Sequence, residues 1–174
     1  FAQRLIPALC CSPVSNPRVT IVIVAHSERG ELERCLDSIR DHAGMPVQVV
    51  LIDNASTDGT VGWVRDHHRS IEIVGLEKNI GVAARRYGLE RARAPLTMFL
   101  DSDAALTAGA LLTMVAALER NPGWGLIGPR LIDEDGKLQL SCRRFPPRML
   151  PLVRYDLEQL RAVRVEVARN RDGQ

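Results

Sequence analysis

No stretch of about 18 consecutive apolar residues occurs in the 174-residue chain, so no membrane-spanning helix is expected within it. Zinc-ligand spacing is also missing: Cys10, Cys11, Cys35 and Cys142 form neither a C-x-x-C pair nor a Cys/His set. With no disulfide framework to suggest secretion, a reducing, cytoplasmic compartment is the expectation. Charge of one sign is scarce. A net charge of +2 is too small to name nucleic acid as the partner. No G-x-G-x-x-G follows the first apolar run and no G-x-x-x-x-G-K-[ST] occurs, which speaks against a dinucleotide-dependent dehydrogenase and a P-loop NTPase. Internal repeats and low-complexity tracts are absent as well.

What is present reads as a folded domain. Hydrophobic residues make up 45% and charged residues 25%, the balance of a globular chain rather than a disordered one. Residues 1–17, with Pro7, Pro13 and Pro17, read as a lead-in or linker. Residues 18–142 read as one α/β domain, and 143–174 as an arginine-rich tail. After Leu140 there are eight arginines against four acids. Such a run is read as a solvated surface, or as a peripheral contact with an anionic membrane face through residues 143–154. The chain begins at Phe1 rather than Met and is read as a piece of a longer protein.

Along the domain, β-branched runs alternate with helical periodicity. Arg18–Ala25, Val47–Ile52, Ile71–Val74 and Leu96–Leu100 read as strands, the first two apolar enough to be buried on both faces. Leu32, Cys35, Leu36 and Ile39 mark one helix face. Asp58 is placed to cap a second helix from Gly59 to about His68. Ile80, Ala83, Ala84 and Tyr87 mark a third face. A fourth helix, capped by Thr107, shows Leu111, Met114, Val115 and Leu118 and stops at Asn121-Pro122-Gly123. A fifth strand is expected at Trp124–Gly128, then a hairpin turning at Asp135-Gly136. The alternation implies an open, mostly parallel sheet with helices on both faces.

In such sheets ligands bind beyond the carboxyl ends of the strands. Three strand exits here carry polar groups: Ala25-His26-Ser27, Asp53-Asn54 and Asp101-Ser102-Asp103. Asp101 and Asp103, two apart in extended chain, point the same way. Their hard oxygens suit Mg²⁺ or Mn²⁺, which bind through one or two carboxylates plus substrate phosphates. The bland alternatives are a helix-capping acid at Asp103, an Asx-turn residue at Asp53, a rim histidine at His26 and a surface charge at Arg85. An Asp-x-Asp after a strand also serves phosphatase-like phosphoryl transfer. There, however, it usually follows the first strand and precedes Gly-Thr, whereas here it follows the fourth and precedes Ala-Ala.

VTIVIVAHSE, VVLIDNASTDGT, NIGVAARRYGLERA and MFLDSDA, in this order, resemble the family 2 glycosyltransferases. GPRLIDEDGKLQLSCRRFP resembles their rhamnosyltransferase-like subgroup. The resemblance covers about residues 18–148. It implies a GT-A fold, a nucleoside-diphosphate sugar donor and a glycan or lipid-linked acceptor, met at the cytoplasmic face of the membrane in the lipid-linked case. By the same resemblance Asp53 matches the acid that reads the base, Asp101 an acid near the ribose and Asp103 the metal ligand. Arg85 matches an arginine near the base or phosphates, and Ala25, His26 and Ser27 the nucleoside-contacting strand end, with Ser102 between the two acids. The pattern departs from the family at Ala25-His26-Ser27, where Thr-Tyr-Asn is usual, and at Arg86, where Asn is usual. The family's catalytic base lies downstream in the acceptor half, and its Glu-Asp pattern is not identified in this chain. No residue is therefore assigned as the base, and a nucleotide-sugar-binding module without turnover is the alternative.

Overall fold

Four runs rich in β-branched residues form a parallel sheet. A computed structural model describes residues 16–133 and 135–139. In it β1 (Val19–Ala25), β2 (Val47–Asp53), β3 (Glu72–Gly75) and β4 (Leu96–Asp101) pair in the order β3-β2-β1-β4. The described residues fall into two compact units that divide between Gly109 and Ala110. The sheet belongs wholly to the first. The lead-in before Asn16, the cysteines other than Cys35, and the arginine-rich tail lie outside the described residues.

The strand order explains where the helices go. From β1 the chain steps to β2 and β3 in one direction through α1 (Arg29–His42) and α2 (Thr60–His67). It then returns past β1 to β4 through a 3-10 turn (Gly81–Ala84) and α3 (Arg85–Arg91). Right-handed crossovers put the outward pair on one face and the returning helix on the other. The register agrees. Val22, Val50 and Ile52 share a face and pack with Ala84, Ile80 and Tyr87. Ile21, Ile23 and Leu51 point to the opposite face and are fully buried. Each such side chain removed from water contributes about 1.5–3 kcal/mol. α3 lies close because Gly88 has no side chain: a Cβ there would stand 2.2 Å from a Val22 methyl carbon.

Two polar residues sit inside the sheet, and both are satisfied. Thr20 donates its hydroxyl to Gln48 Oε1 at 2.8 Å, and Gln48 Nε2 donates to the Arg91 carbonyl at 2.9 Å. The Arg93 N–H donates to Gln48 Oε1 at 2.9 Å, tying the end of α3 and the start of β4 to the sheet floor. The α1 face is as expected, with Leu32, Cys35, Leu36 and Ile39 all buried.

Several expectations shift. Asp58 is not the cap of α2: the helix starts at Thr60 with Gly59, left-handed at φ 79°, at the N-cap, and Asp58, one residue earlier, accepts the Thr60 N–H at 3.1 Å. The Ile80 segment opens as a 3-10 turn with Ala83 exposed, because side-chain oxygens take the N–H groups of Ile80 and Gly81. Trp124–Gly128 is not a strand. The Trp124 N–H closes a turn on the Asn121 carbonyl at 2.8 Å, and Gly125 and Gly128 offer no side chain to pack on a neighbour.

In the second unit, α4 (Ala110–Arg120) buries Leu111 and Val115, but it starts after Gly109 (φ 78°), so Thr107 is not at its cap. β5 (Leu131–Ile132) and β6 (Leu138–Gln139) form the expected antiparallel hairpin, with Gly136 at φ 76° in its turn. Among the described residues no helix is long and apolar enough to cross a membrane.

Candidate functional site

Strand order reverses between β1 and β4, and there the carboxyl ends of neighbouring parallel strands leave a crevice. A cleft of about 400 Å³ occupies it, within the usual size of ligand sites. Ala25 and His26 line it from the β1 exit, Asp101, Ser102 and Asp103 from the β4 exit, and Arg85 from the start of α3. Ser27 and Asp53, read from the sequence as part of the same rim, are not among its lining residues.

Asp53 is buried at the β2 exit. Its Oδ1 accepts the Ser56 N–H at 3.1 Å, an Asx turn that reverses the chain after the strand. Ser27 is held in the left-handed region at φ 55°, an uncommon conformation for a residue with a Cβ. It is fixed there by reciprocal bonds: its N–H donates to Ser56 Oγ at 2.9 Å, and its Oγ accepts the Thr57 N–H at 3.1 Å. Both residues therefore lock the β1 and β2 exits together, beside the cleft rather than inside it.

The acid loop is exposed at its two carboxylates and buried at its centre. Asp101 and Asp103 are exposed, whereas Ser102 is only 5% exposed. The extended chain expected there is instead a turn, closed by the Ala104 N–H on the Asp101 carbonyl at 3.0 Å, with Ser102 and Asp103 at its centre. Burial, then the Asp103 carboxylate, then that of Asp101, push the Cys35 thiol up to about 12. Both carboxylates are thus near enough to one buried group of α1 for their charge to be felt there. Two hard oxygen donors so placed fit a Mg²⁺ or Mn²⁺ ion completed by phosphate oxygens and water. No cluster of three acids, histidines or cysteines able to hold a metal by protein groups alone occurs among the described residues.

Arg85 crosses the cleft. Its Nη2 meets Asp101 Oδ1 at 2.6 Å, and its guanidinium lies 5.5 Å from the Phe99 ring centroid. The two side chains are 37% and 68% exposed, so the ion pair contributes at most about 1 kcal/mol. A phosphate entering the cleft competes for this guanidinium at little cost. His26 Nδ1 lies 2.9 Å from the Asn54 carbonyl. A carbonyl only accepts, so that nitrogen carries the proton and Nε2 is left as an acceptor.

Several lining residues carry no assigned role from the sequence. Asn54 reads there only as a polar group at the second strand exit, and Asn79 only as part of the NIGVAARRYGLERA motif. Asn54 is buried, accepts the Ile80 N–H at 3.0 Å and donates to Asn79 Oδ1 at 2.8 Å, so it builds the turn that launches Arg85. A short amide side chain directly after a buried strand was the available signal. Val82, 70% exposed, sets an apolar branch in the cleft wall. Glu28 has no role in the sequence beyond its place at the end of the VTIVIVAHSE motif, yet it lines the cleft.

Known proteins resemble this chain in sequence and fold. Residues 20–164 match the sequence model described as Glycosyl transferase family 2. TuaG of Bacillus subtilis (strain 168), whose name describes a teichuronic acid biosynthesis glycosyltransferase, is 30% identical over 126 residues, 70% of this chain and 50% of that protein. The N-acetylglucosaminyl-diphospho-decaprenol L-rhamnosyltransferase of Mycobacterium tuberculosis (strain ATCC 25618 / H37Rv) is 27% identical over 141 residues, 72% of this chain and 45% of that one. Among solved structures, the mannosyltransferase PcManGT from Pyrobaculum calidifontis, in complex with GDP-Man and Mn²⁺, has a TM-score of 0.58. It is 30% identical, with 65% of this chain and 35% of that one covered. S. aureus TarS in complex with UDP-GlcNAc, at 21% identity, shares the fold with a TM-score of 0.55 over 60% of this chain and 32% of its own. The sheet is thus that of the GT-A glycosyltransferases. The chain spans about half the length of the curated relatives it matches. Since the matched segment starts inside the first buried strand and runs through both the arginine turn and the acid loop, the chain belongs to glycosyl transferase family 2.

Proposed function

We propose that this chain is the donor-binding half of an inverting glycosyltransferase, which passes a sugar from a nucleoside-diphosphate sugar to an acceptor hydroxyl with the help of Mg²⁺ or Mn²⁺. The observation that carries the reading is the cleft at the β1/β4 switch, where Asp101 and Asp103 flank a buried serine and Arg85 reaches across from α3. Asp101 and Asp103 would hold the cation, which when bound neutralises charge on the diphosphate leaving group. Arg85 would exchange Asp101 for a phosphate oxygen, a charge-assisted bond in a site partly shielded from water. Ala25 and His26 would wall the nucleoside, with Ser27 fixing their strand end and Asp53 beside them toward the base. The acceptor is a glycan or lipid-linked glycan, reached at the cytoplasmic face of a membrane. The base that deprotonates it is assigned to no residue of this chain.

Calorimetric titration of UDP, GDP and dTDP, with and without Mn²⁺, tests the reading. Binding of one of the three that strengthens with Mn²⁺ and is lost in Asp103→Ala is expected. Absence of metal-dependent binding to all three, or full affinity in Asp103→Ala, overturns it.

A further inference from the structure

Glu28 occupies the N-cap position of α1, where serine, threonine, aspartate or asparagine normally bonds the first helical N–H groups. Its carboxylate makes no such bond. It turns instead to the β4 exit and accepts the Ser102 hydroxyl through Oε2 at 2.5 Å, across 74 positions of sequence. Its own carbonyl accepts the Leu32 N–H at 2.9 Å, so the residue is anchored in the first turn of α1.

Ser102 is the pivot of the acid loop. It is a central residue of the turn that the Ala104 N–H closes on the Asp101 carbonyl, buried while Asp101 and Asp103 are exposed, so its inward direction and their outward one are one conformational choice. A buried hydroxyl left without an acceptor is unfavourable, and the acceptor here is an anion, which makes the bond short and strong. The loop's other anchors act at Asp101. The Ala104 N–H donates to its carbonyl at 3.0 Å, and the Cys35 thiol, a weak donor, stands 3.7 Å from the same oxygen. The Ala104 bond closes the turn over residues 102 and 103, and the Glu28 bond holds its buried Ser102 against the start of α1.

We propose that Glu28 is a positioning residue for the metal-binding loop: by holding Ser102 inward it sets Asp101 and Asp103 toward one cation. It acts through Ser102 rather than as a third ligand, since no trio of acids close enough to share a metal occurs among the described residues. The inference rests on the donor-binding reading above.

The test is the same titration on the unsubstituted chain, Glu28→Ala, Glu28→Gln, Ser102→Ala and the double alanine variant. Groups that orient metal ligands from behind typically control affinity by about tenfold or more, so Glu28→Ala and Ser102→Ala should each weaken Mn²⁺-dependent nucleotide binding by about that factor. The double variant should lose no more than either single one, because both remove one bond. Glu28→Gln, whose amide oxygen still accepts the hydroxyl, should restore most of the affinity. The metal-free unfolding midpoint should fall in Glu28→Ala, as one lost bond to a buried hydroxyl requires, and the Mn²⁺ concentration for half-maximal nucleotide binding should rise with it, which a merely structural role would not give. Unaltered binding in Glu28→Ala, additive losses, or a Glu28→Gln variant as weak as Glu28→Ala would each overturn the positioning role while leaving the donor site standing. If the unsubstituted chain binds none of the three nucleotides with Mn²⁺, the donor reading itself fails and the role of Glu28 falls with it.

Discussion

Single side chains at the strand exits decide what the cleft presents. Asn54 joins the β2 exit to the Asn79–Gly81 turn, and its Oδ1 is the acceptor of the Ile80 N–H. Replacing it by alanine leaves that donor without its partner and frees Asn79. Asn54→Ala should cost about 1–3 kcal/mol in denaturant unfolding, and should weaken nucleotide binding by loosening the turn that carries Arg85. Cys35 behaves oppositely to a reactive thiol. Raised from 9.0 to about 12 by burial and then by the two acids of the loop, it stays protonated in the folded chain. Peptide-resolved alkylation under native conditions should leave Cys35 unmodified until the chain is unfolded. The sign of the linked stability follows from the raised value. Its contribution is full below 9.0 and is lost as pH rises toward 12, so the fall in stability over that range should be smaller in a Cys35→Ala variant than in the unsubstituted chain.

At the scale of elements, close approach of α3 to the sheet is what brings Arg85 to the cleft. In most helices glycine to alanine stabilises by up to about 1 kcal/mol. At Gly88 the sign should reverse, because the new methyl meets a stiff, β-branched Val22 in the central strand. Gly88→Ala should destabilise by about 1–3 kcal/mol in urea unfolding, and Val22→Ala in the same chain should recover part of the loss. The helices and strands of this unit were largely legible beforehand, since a β-branched run and an i, i+3, i+4, i+7 face are local patterns. What was not legible is where a polar side chain edits an element's end. Gly59 moves the start of α2, Asn54 and Asn79 turn the next helix start into a 3-10 segment, and Gly109 separates Thr107 from α4. Trp124–Gly128 failed as a strand for a related reason: apolar composition is a statement about burial, and two glycines leave too little surface to pair.

For the whole molecule, a ligand that binds only the folded state must raise its stability by mass action. Nucleoside diphosphate with Mn²⁺ at about a hundred times its dissociation constant should add about 2.7 kcal/mol, read as a higher unfolding midpoint that chelation by EDTA reverses. An unshifted midpoint would mean that the cleft does not take the pair. The residues of this chain fixed much of that expectation without any coordinates. The alternation of apolar runs demands a parallel sheet, and the polar residues after each run demand a chemical rim at its carboxyl edge, although the acid pair leaves β4 in a turn rather than in extended chain. Tertiary structure alone decided the rest. It put β4 beside β1, so that the acid loop faces His26 and Arg85, while Asp53 and Ser27 became the clasp next to the cleft. It also brought Glu28 to Ser102. Strand order and contacts across 74 residues leave no periodic trace in a sequence, because they follow from the handedness of crossovers and the packing of whole elements rather than from the preferences of neighbouring residues.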